Sequence, residues 1–300
     1  MTVLLRPFGG LALAALLIWL VGPQLLVEVL GQTDPALVGA ALALGLVGLG
    51  VQWLKWHALL RWARPKTRWF ESLDSLLVGL ALGLVSPGRL GELGRGTFLG
   101  GKRARWAGLA GVDRMISALV TLVFGGMALI ILRPQATGWV GLGALLLLGT
   151  GLLGRRLLQD LGRRWAWWDQ VGQAIRTIPP GLWLNTVFWS LLFNLVFFAQ
   201  FYLILLSWGP VSLQGCLAIP LLFALKSLIP FSFLDLGVRE GAAVLIFSWL
   251  ALPPETALGA ALVVFVINVL LPGLAGAGLV YRRGSTALTG PGHTGRTTES

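Results

Sequence analysis

Ser86-Pro87-Gly88-Arg89-Leu90-Gly91-Glu92-Leu93-Gly94-Arg95 ends a short apolar run that begins near residue 73. A second stretch of the same kind, Ile229-Pro230 through Asp235-Leu236-Gly237-Val238-Arg239-Glu240-Gly241, separates the apolar runs 214–229 and 241–252. Charges and helix breakers beside short apolar runs, at corresponding places in two halves of a chain, are the pattern of broken helices around a site inside a membrane. The reading of these two stretches decides the fold.

The rest of the chain sets the medium. Of its 300 residues 56% are hydrophobic and only 12% charged, and the mean hydropathy is +0.82. Such a composition excludes an ordinary soluble domain, and apolar stretches of about 20 residues are bilayer-spanning lengths. Full spans are expected at 8–29, 36–60, 107–132, 138–154, 182–207 and 256–281. They read as helices, because an open sheet leaves its edge unsatisfied in lipid and the alternation of a barrel is missing. Arg6 before the first run resembles the start of a signal peptide, but the run continues past Trp19 without a small-residue cleavage site, so it reads as a retained helix. The expected fold is all-α: a polytopic bundle of about six spans plus two re-entrant hairpins, in two halves of inverted topology, roughly 8–154 and 182–282.

The net charge of +11 does not imply nucleic acid, because the basic residues sit in the connections between apolar runs. Arg61, Arg64, Lys66 and Arg68 mark one connection as cytoplasmic, Arg155, Arg156, Arg163, Arg164 and Arg176 a second, and Arg282-Arg283 the end of the last helix. A full crossing by 73–86 would put Arg89, Arg95, Lys102, Arg103 and Arg105 outside, so a dip from the cytoplasmic face is preferred. The 214–252 region dips from the outer face or crosses twice, and either arrangement leaves both termini cytoplasmic in a cell membrane. Residues 155–181 suit an interfacial amphipathic connection with Trp anchors, and 284–300, rich in Gly, Ser and Thr, a disordered cytoplasmic tail. Cys216 is the single cysteine, and His57 and His293 are isolated, so neither disulfide nor metal site is expected. No cofactor is expected either.

The charges in the apolar context carry the functional reading. Arg89, Glu92, Arg95, Asp113, Arg114, Lys226, Asp235, Arg239 and Glu240 all lie in or beside apolar runs, where a central charge costs about 2.5–3.5 kcal/mol. They are expected to face one another, water or a ligand. Arg89, Glu92 and Arg95 recur every third residue and Asp235 precedes Arg239 by four, spacings that share a helical face. Asp113 and Arg114, like Arg239 and Glu240, are neighbours pointing about 100° apart and need other partners. Arginine binds phosphate bidentately and stays charged when desolvated, which singles out Arg89, Arg95 and Arg239 as headgroup ligands. Gly88, Gly91 and Gly237 add exposed amides and close approach. Glu92, Asp113, Arg114, Lys226, Asp235 and Glu240 form the supporting network. The alternative for each is an ion pair that pins two broken helices and touches no substrate.

Pro87-Gly88-Arg89-x-Gly91-Glu92 with Arg95, then Asp113-Arg114, then Leu236-Gly237-Val238-Arg239-Glu240-Gly241 resembles the transmembrane region of lysylphosphatidylglycerol synthases and their stand-alone flippase-like relatives. The resemblance covers most of residues 8–282 and implies two re-entrant hairpins and the movement of an anionic or isoprenoid-linked lipid between leaflets. Many relatives have Glu-Arg at 113–114, an acid at Ser117 and a Gly pair at Leu234-Asp235, so headgroup identity does not carry over. The aminoacyl-transfer domain of the synthases has no counterpart after Arg283, so aminoacyl transfer is not expected, and the leading reading is not an enzyme. A transporter or flippase of an anionic lipid is the leading reading. A membrane-embedded transferase using Glu92 or Glu240 as base, and a non-catalytic membrane partner of a lipid-modifying or glycosyl-transferring enzyme, are the others; the partners expected are an anionic lipid and either a second copy of the chain in a homo-oligomer or a lipid-modifying enzyme.

Overall fold

A computed structural model describes residues 31, 33–84, 86–101, 103–228 and 238–289. The expected first span 8–29, Asp235, Gly237 and residues 290–300 lie outside the described residues. Ten α-helices follow one another, and no strand occurs among the described residues. They are α1 (Pro35–Ala63), α2 (Trp69–Leu84), α3 (Arg103–Leu132), α4 (Thr137–Arg164), α5 (Ala166–Arg176), α6 (Pro180–Leu206), α7 (Leu213–Leu228), α8 (Val238–Trp249), α9 (Pro254–Phe265) and α10 (Leu271–Thr289). A 3-10 helix, Pro87–Phe98, lies between α2 and α3, and a π turn, Val266–Leu270, joins α9 to α10.

Five helical stretches are long and apolar enough to cross a bilayer: α1, α3, Pro134–Arg164, α6, and Pro254–Arg282 through the π turn. Their outer faces carry large apolar side chains in the open, among them Leu46, Leu145, Leu148 and Leu184. Ser72, Ser190, Asn194, Gln200 and Asp113 are buried instead. Polar groups inside and leucine outside is the arrangement a hydrocarbon solvent imposes.

Local signals set the helix ends. The Asp34 carboxylate accepts from the Ala36 amide at 2.8 Å and Pro35 supplies the first helical residue of α1. Arg64, followed by Pro65, ends α1 in an extended conformation. The span expected to stop at 154 runs on to Arg164, because Arg155 and Arg156 are good helix formers and nothing breaks the helix before Trp165 turns extended. The amphipathic connection is therefore short: α5 buries Val171, Gly172 and Ala174, with Gly108 of α3 facing Val171 and Ala174. The helix of the last span likewise continues to Thr289, into the stretch read as a tail.

Residues 69–98 form a helical hairpin. Residues 79, 83 and 82 of α2 meet 95, 92 and 91 of the 3-10 helix in reversed order, which makes the arms antiparallel. Sixteen α-helical residues and twelve 3-10 residues both rise about 24 Å, so the arms match and neither reaches the roughly 30 Å of a hydrocarbon core. Glycine makes the contact possible. A Cβ on Gly91 would strike the Leu82 carbonyl, and one on Gly79 the Arg95 stem.

The helix pairings repeat with a swap. α1 packs on α6, α2 on α10 and α7 on α3, while the 3-10 helix packs on both α2 and α3 as α8 does on α7 and α9. Taking α1, α2, the 3-10 helix and α3 as counterparts of α6, α7, α8 and α9–α10, each of these pairings has its image. Among the described residues three apolar clusters form: one centres on Trp56, Leu76 and Leu109, one on Phe201, Leu222 and Val264, and a third joins Leu84 of α2 to Phe265 and Leu270.

Gly91→Ala and Gly276→Ala, whose new methyls would meet the backbone carbonyls of Leu82 and Leu77, should each destabilise by about 1–3 kcal/mol. Gly241→Ala, with open space around it, should stay within about 0.5 kcal/mol. Thermal unfolding in detergent micelles checks the contrast, and equal losses at the three positions would refute the close-packed hairpin.

Candidate functional site

The charged motif folds as a 3-10 helix, which has three residues per turn, so positions 89, 92 and 95 stack on one side. Gly88, Gly91 and Gly94 occupy the second side and Leu90 and Leu93 the third. Twelve residues is long for this helix type. Arg89, at its start, has φ +57°, a left-handed conformation costing a non-glycine residue roughly 1–2 kcal/mol. Its amide donates to the Ser86 carbonyl at 3.1 Å, and its carbonyl accepts from the Arg114 guanidinium.

From this helix an alternating chain of charges runs inward. Arg89 contacts Glu92 at 2.6 Å, and Glu92 takes Arg95 at 2.7 Å through its second oxygen. The other arm of Arg95 donates to Asp113 at 2.7 Å, whose remaining oxygen lies 2.8 Å from Lys55. Lys55 also donates to Ser117 at 2.7 Å and Ser190 at 3.3 Å. Arg114 flanks Glu92 at 3.6 Å. Arg95 is 3% exposed, with Trp56 beneath its guanidinium at 5.4 Å and its carbonyl accepting from Ser75 at 2.7 Å.

The second motif meets the first across a cavity of about 210 Å³. Arg89, Glu92, Arg95, Asp113, Arg114 and Lys55 line one side, and Lys226 and Arg239 line it from α7 and α8. Gln52, Thr121, Asn194 and Asn268 complete the polar wall. Among the described residues six cations and two carboxylates line the cavity. Arg239 is 2% exposed and lies 5.1 Å over the Phe265 ring. Its guanidinium folds back onto Glu240, from Nη2 at 2.5 Å and Nε at 3.1 Å. The expectation that these two neighbours need other partners is thus corrected: both side chains are long enough to reach around the first turn of α8.

The sequence-predicted residues have several placements. Arg89, Arg95, Arg239, Glu92, Asp113, Arg114 and Lys226 are brought to one cavity, and Glu240 joins through Arg239. Gly91 packs against α2 and donates its amide to the Ser86 hydroxyl at 2.6 Å. Gly88 lies in the first turn of the 3-10 helix. Lys55, Gln52, Asn194 and Asn268 were missed, although a lone lysine in the 36–60 span carries the same cost as the charges that were noticed. Asn268 sits in the π turn, where Leu271 donates to Val266 five residues back. Pro272 has no N–H for the Asn268 carbonyl, which forces the ladder to shift there.

Breaking the buried chain has a calculable consequence. Asp113→Leu leaves Lys55 facing an apolar side chain and should cost about 3–5 kcal/mol, whereas Lys55→Met with Asp113→Leu should recover part of the loss. Removing the exposed Arg64–Glu71 pair, 3.8 Å apart, should cost no more than about 1 kcal/mol. Unfolding titrations in mixed micelles of the four variants form the cycle, and a double variant as unstable as the sum of its singles would show that Lys55 and Asp113 are not coupled.

No curated protein and no solved structure matches the chain. The profile of the lysylphosphatidylglycerol synthase TM region matches residues 8–276, nearly the whole apolar part and every residue of the cavity. By that match the chain, an integral membrane protein of helices around a buried cationic cavity, belongs to the lysylphosphatidylglycerol synthase TM region family.

Proposed function

We propose that the protein moves an anionic lipid between membrane leaflets, with the lipid phosphate held in the cavity between the two broken segments. The observation that carries the reading is the excess of cations over carboxylates on the cavity wall, six against two among the described residues. A phosphate entering this space would meet cations from both charged motifs. Arg89 and Arg239 approach it from opposite motifs, and Lys226 adds a third cation. Arginine suits the role because its fork binds phosphate oxygens in pairs and keeps its charge when desolvated. Arg95 acts behind them, since both arms of its guanidinium are engaged by Glu92 and Asp113.

The same pairings disfavour a transferase. A general base needs a carboxylate within reach of the proton it removes and with a pKa near the working pH. Glu92, Asp113 and Glu240 are each held against a cation at 2.8 Å or less. They orient cations, which is a binding task.

Purified protein reconstituted into liposomes with fluorescent phosphatidylglycerol or phosphatidylcholine tests this. The anionic lipid should cross faster than the zwitterionic one. Arg89→Gln or Arg239→Gln should slow it roughly tenfold or more, given about 1.5–3 kcal/mol for a hydrogen bond to a charged group. Crossing no faster than in protein-free vesicles for every headgroup would remove the transport reading, and a covalently altered lipid would put the transferase in its place.

A further inference from the structure

A second cavity, about 270 Å³, adjoins the first. Leu46 and Leu49 of α1, Leu77 of α2, and Ile267, Leu271 and Ala275 of the last span are among its walls. Among the described residues Gln52 and Asn268 are its only polar lining residues, and both also line the cationic cavity. Polarity therefore changes at one boundary, charged on one side and apolar on the other. Leu46 is 66% exposed and Leu271 47% exposed, so the groove opens sideways, toward where lipid lies.

One face of α1 crosses that boundary. Leu42, Leu46 and Leu49 lead at helical spacing to Gln52 and then Lys55. From Leu42 to Gln52 the helix rises about 15 Å, half of the roughly 30 Å hydrocarbon core and thus the depth of one leaflet. Asn268 is tied back to the bundle beside Gly45: it donates to Gln200 at 2.5 Å, and Gln200 donates to the Ala41 carbonyl at 2.9 Å.

We infer that the groove between α1, α2 and α10 holds a hydrocarbon chain of the lipid whose phosphate occupies the cationic cavity. The ligand is a phosphate-bearing amphiphile gripped at both ends, with its ester or phosphodiester region level with Gln52 and Asn268. This assignment rests on the phosphate reading of the first cavity and adds a tail subsite to it. Two contacts of opposite polarity, fixed about one leaflet depth apart, select a lipid over free phosphate and over a bare hydrocarbon.

The test uses the full chain in nanodiscs and two probes: a phosphatidylglycerol with a photoreactive diazirine in its acyl chain, and water-soluble glycerol 1-phosphate. Irradiation should label peptides containing residues 42–49, 73–77 and 267–275 in preference to α4, whose Leu145 and Leu148 are exposed, and unlabelled phosphatidylglycerol should compete. Ala275→Trp, a substitution at an exposed position, should weaken binding of the long-chain lipid roughly tenfold, or about 1.4 kcal/mol, and leave glycerol 1-phosphate binding unchanged. Labelling of α4 equal to that of the groove would reduce the tail to ordinary surrounding lipid and overturn the inference. A groove protected from the probe would assign it to the chain's own apolar stretch 8–27 and overturn it equally. Glycerol 1-phosphate binding that ignores Arg239→Gln would instead sink the phosphate reading, whatever the groove labelling shows.

Discussion

Arg95 is the interaction on which the rest depends. Its two arms hold Glu92 and Asp113 at 2.7 Å each, and through those carboxylates it fixes Arg89 on one side and Lys55 on the other. The chain of charges alternates in sign, so each buried ion faces a partner and the desolvation cost is met by close, well-directed pairs. It also ties three elements together, because Lys55 comes from α1, Asp113 from α3 and the remainder from the 3-10 helix. The hairpin is held against the bundle at its charged arm as well as by the glycine contacts along α2. Arg89, Arg95 and Arg239 all line the cavity, and each is also held by a carboxylate.

This arrangement explains why a polar cavity persists inside an apolar protein. A membrane bundle gains little from burying leucine, since lipid tails are equally apolar, and depends instead on close packing and interhelical hydrogen bonds. Both are visible around the cavity. Thr121 donates to Asn194 at 2.8 Å between α3 and α6, and Gly125 lets α7 approach α3 until Ala224 fills the place of its missing side chain. The polar wall of the site and the polar seams between helices are one system.

Much of the fold was legible in the sequence because hydrocarbon length is a blunt signal. Five of the six expected spans correspond to helices, and the charge bias around 89–105 pointed to the hairpin that the antiparallel contacts of α2 display. The motif residues were legible for the same reason, since charges beside apolar runs are costly enough to demand an explanation. The remainder was hidden by weaker signals. Lys55, Asn194 and Asn268 are polar residues scattered through long apolar spans, and their importance comes from tertiary approach: Ser117 and Ser190 reach Lys55 across 62 and 135 residues of chain. The three-residue period of 88–95 was visible, but an α-helical spacing rule fits positions three apart equally well. The choice of the 3-10 form follows from packing glycine against α2, which no local pattern states.

The cavity lies where the backbone is least regular, and the reason is physical. Within a membrane, irregular backbone persists only where it is buried in protein or borders a polar space. The long 3-10 helix, the left-handed Arg89 and the π turn at Asn268 are three such irregularities, and all three border the same cavity. Each also carries a polar residue that lines that cavity. The 3-10 period aligns Arg89, Glu92 and Arg95 on one side, and the π turn brings Asn268 to the wall shared by the charged and apolar cavities. The strain is offset by glycine packing and ion pairs nearby, so the same residues that make the fold irregular also line a cationic cavity inside an apolar bundle.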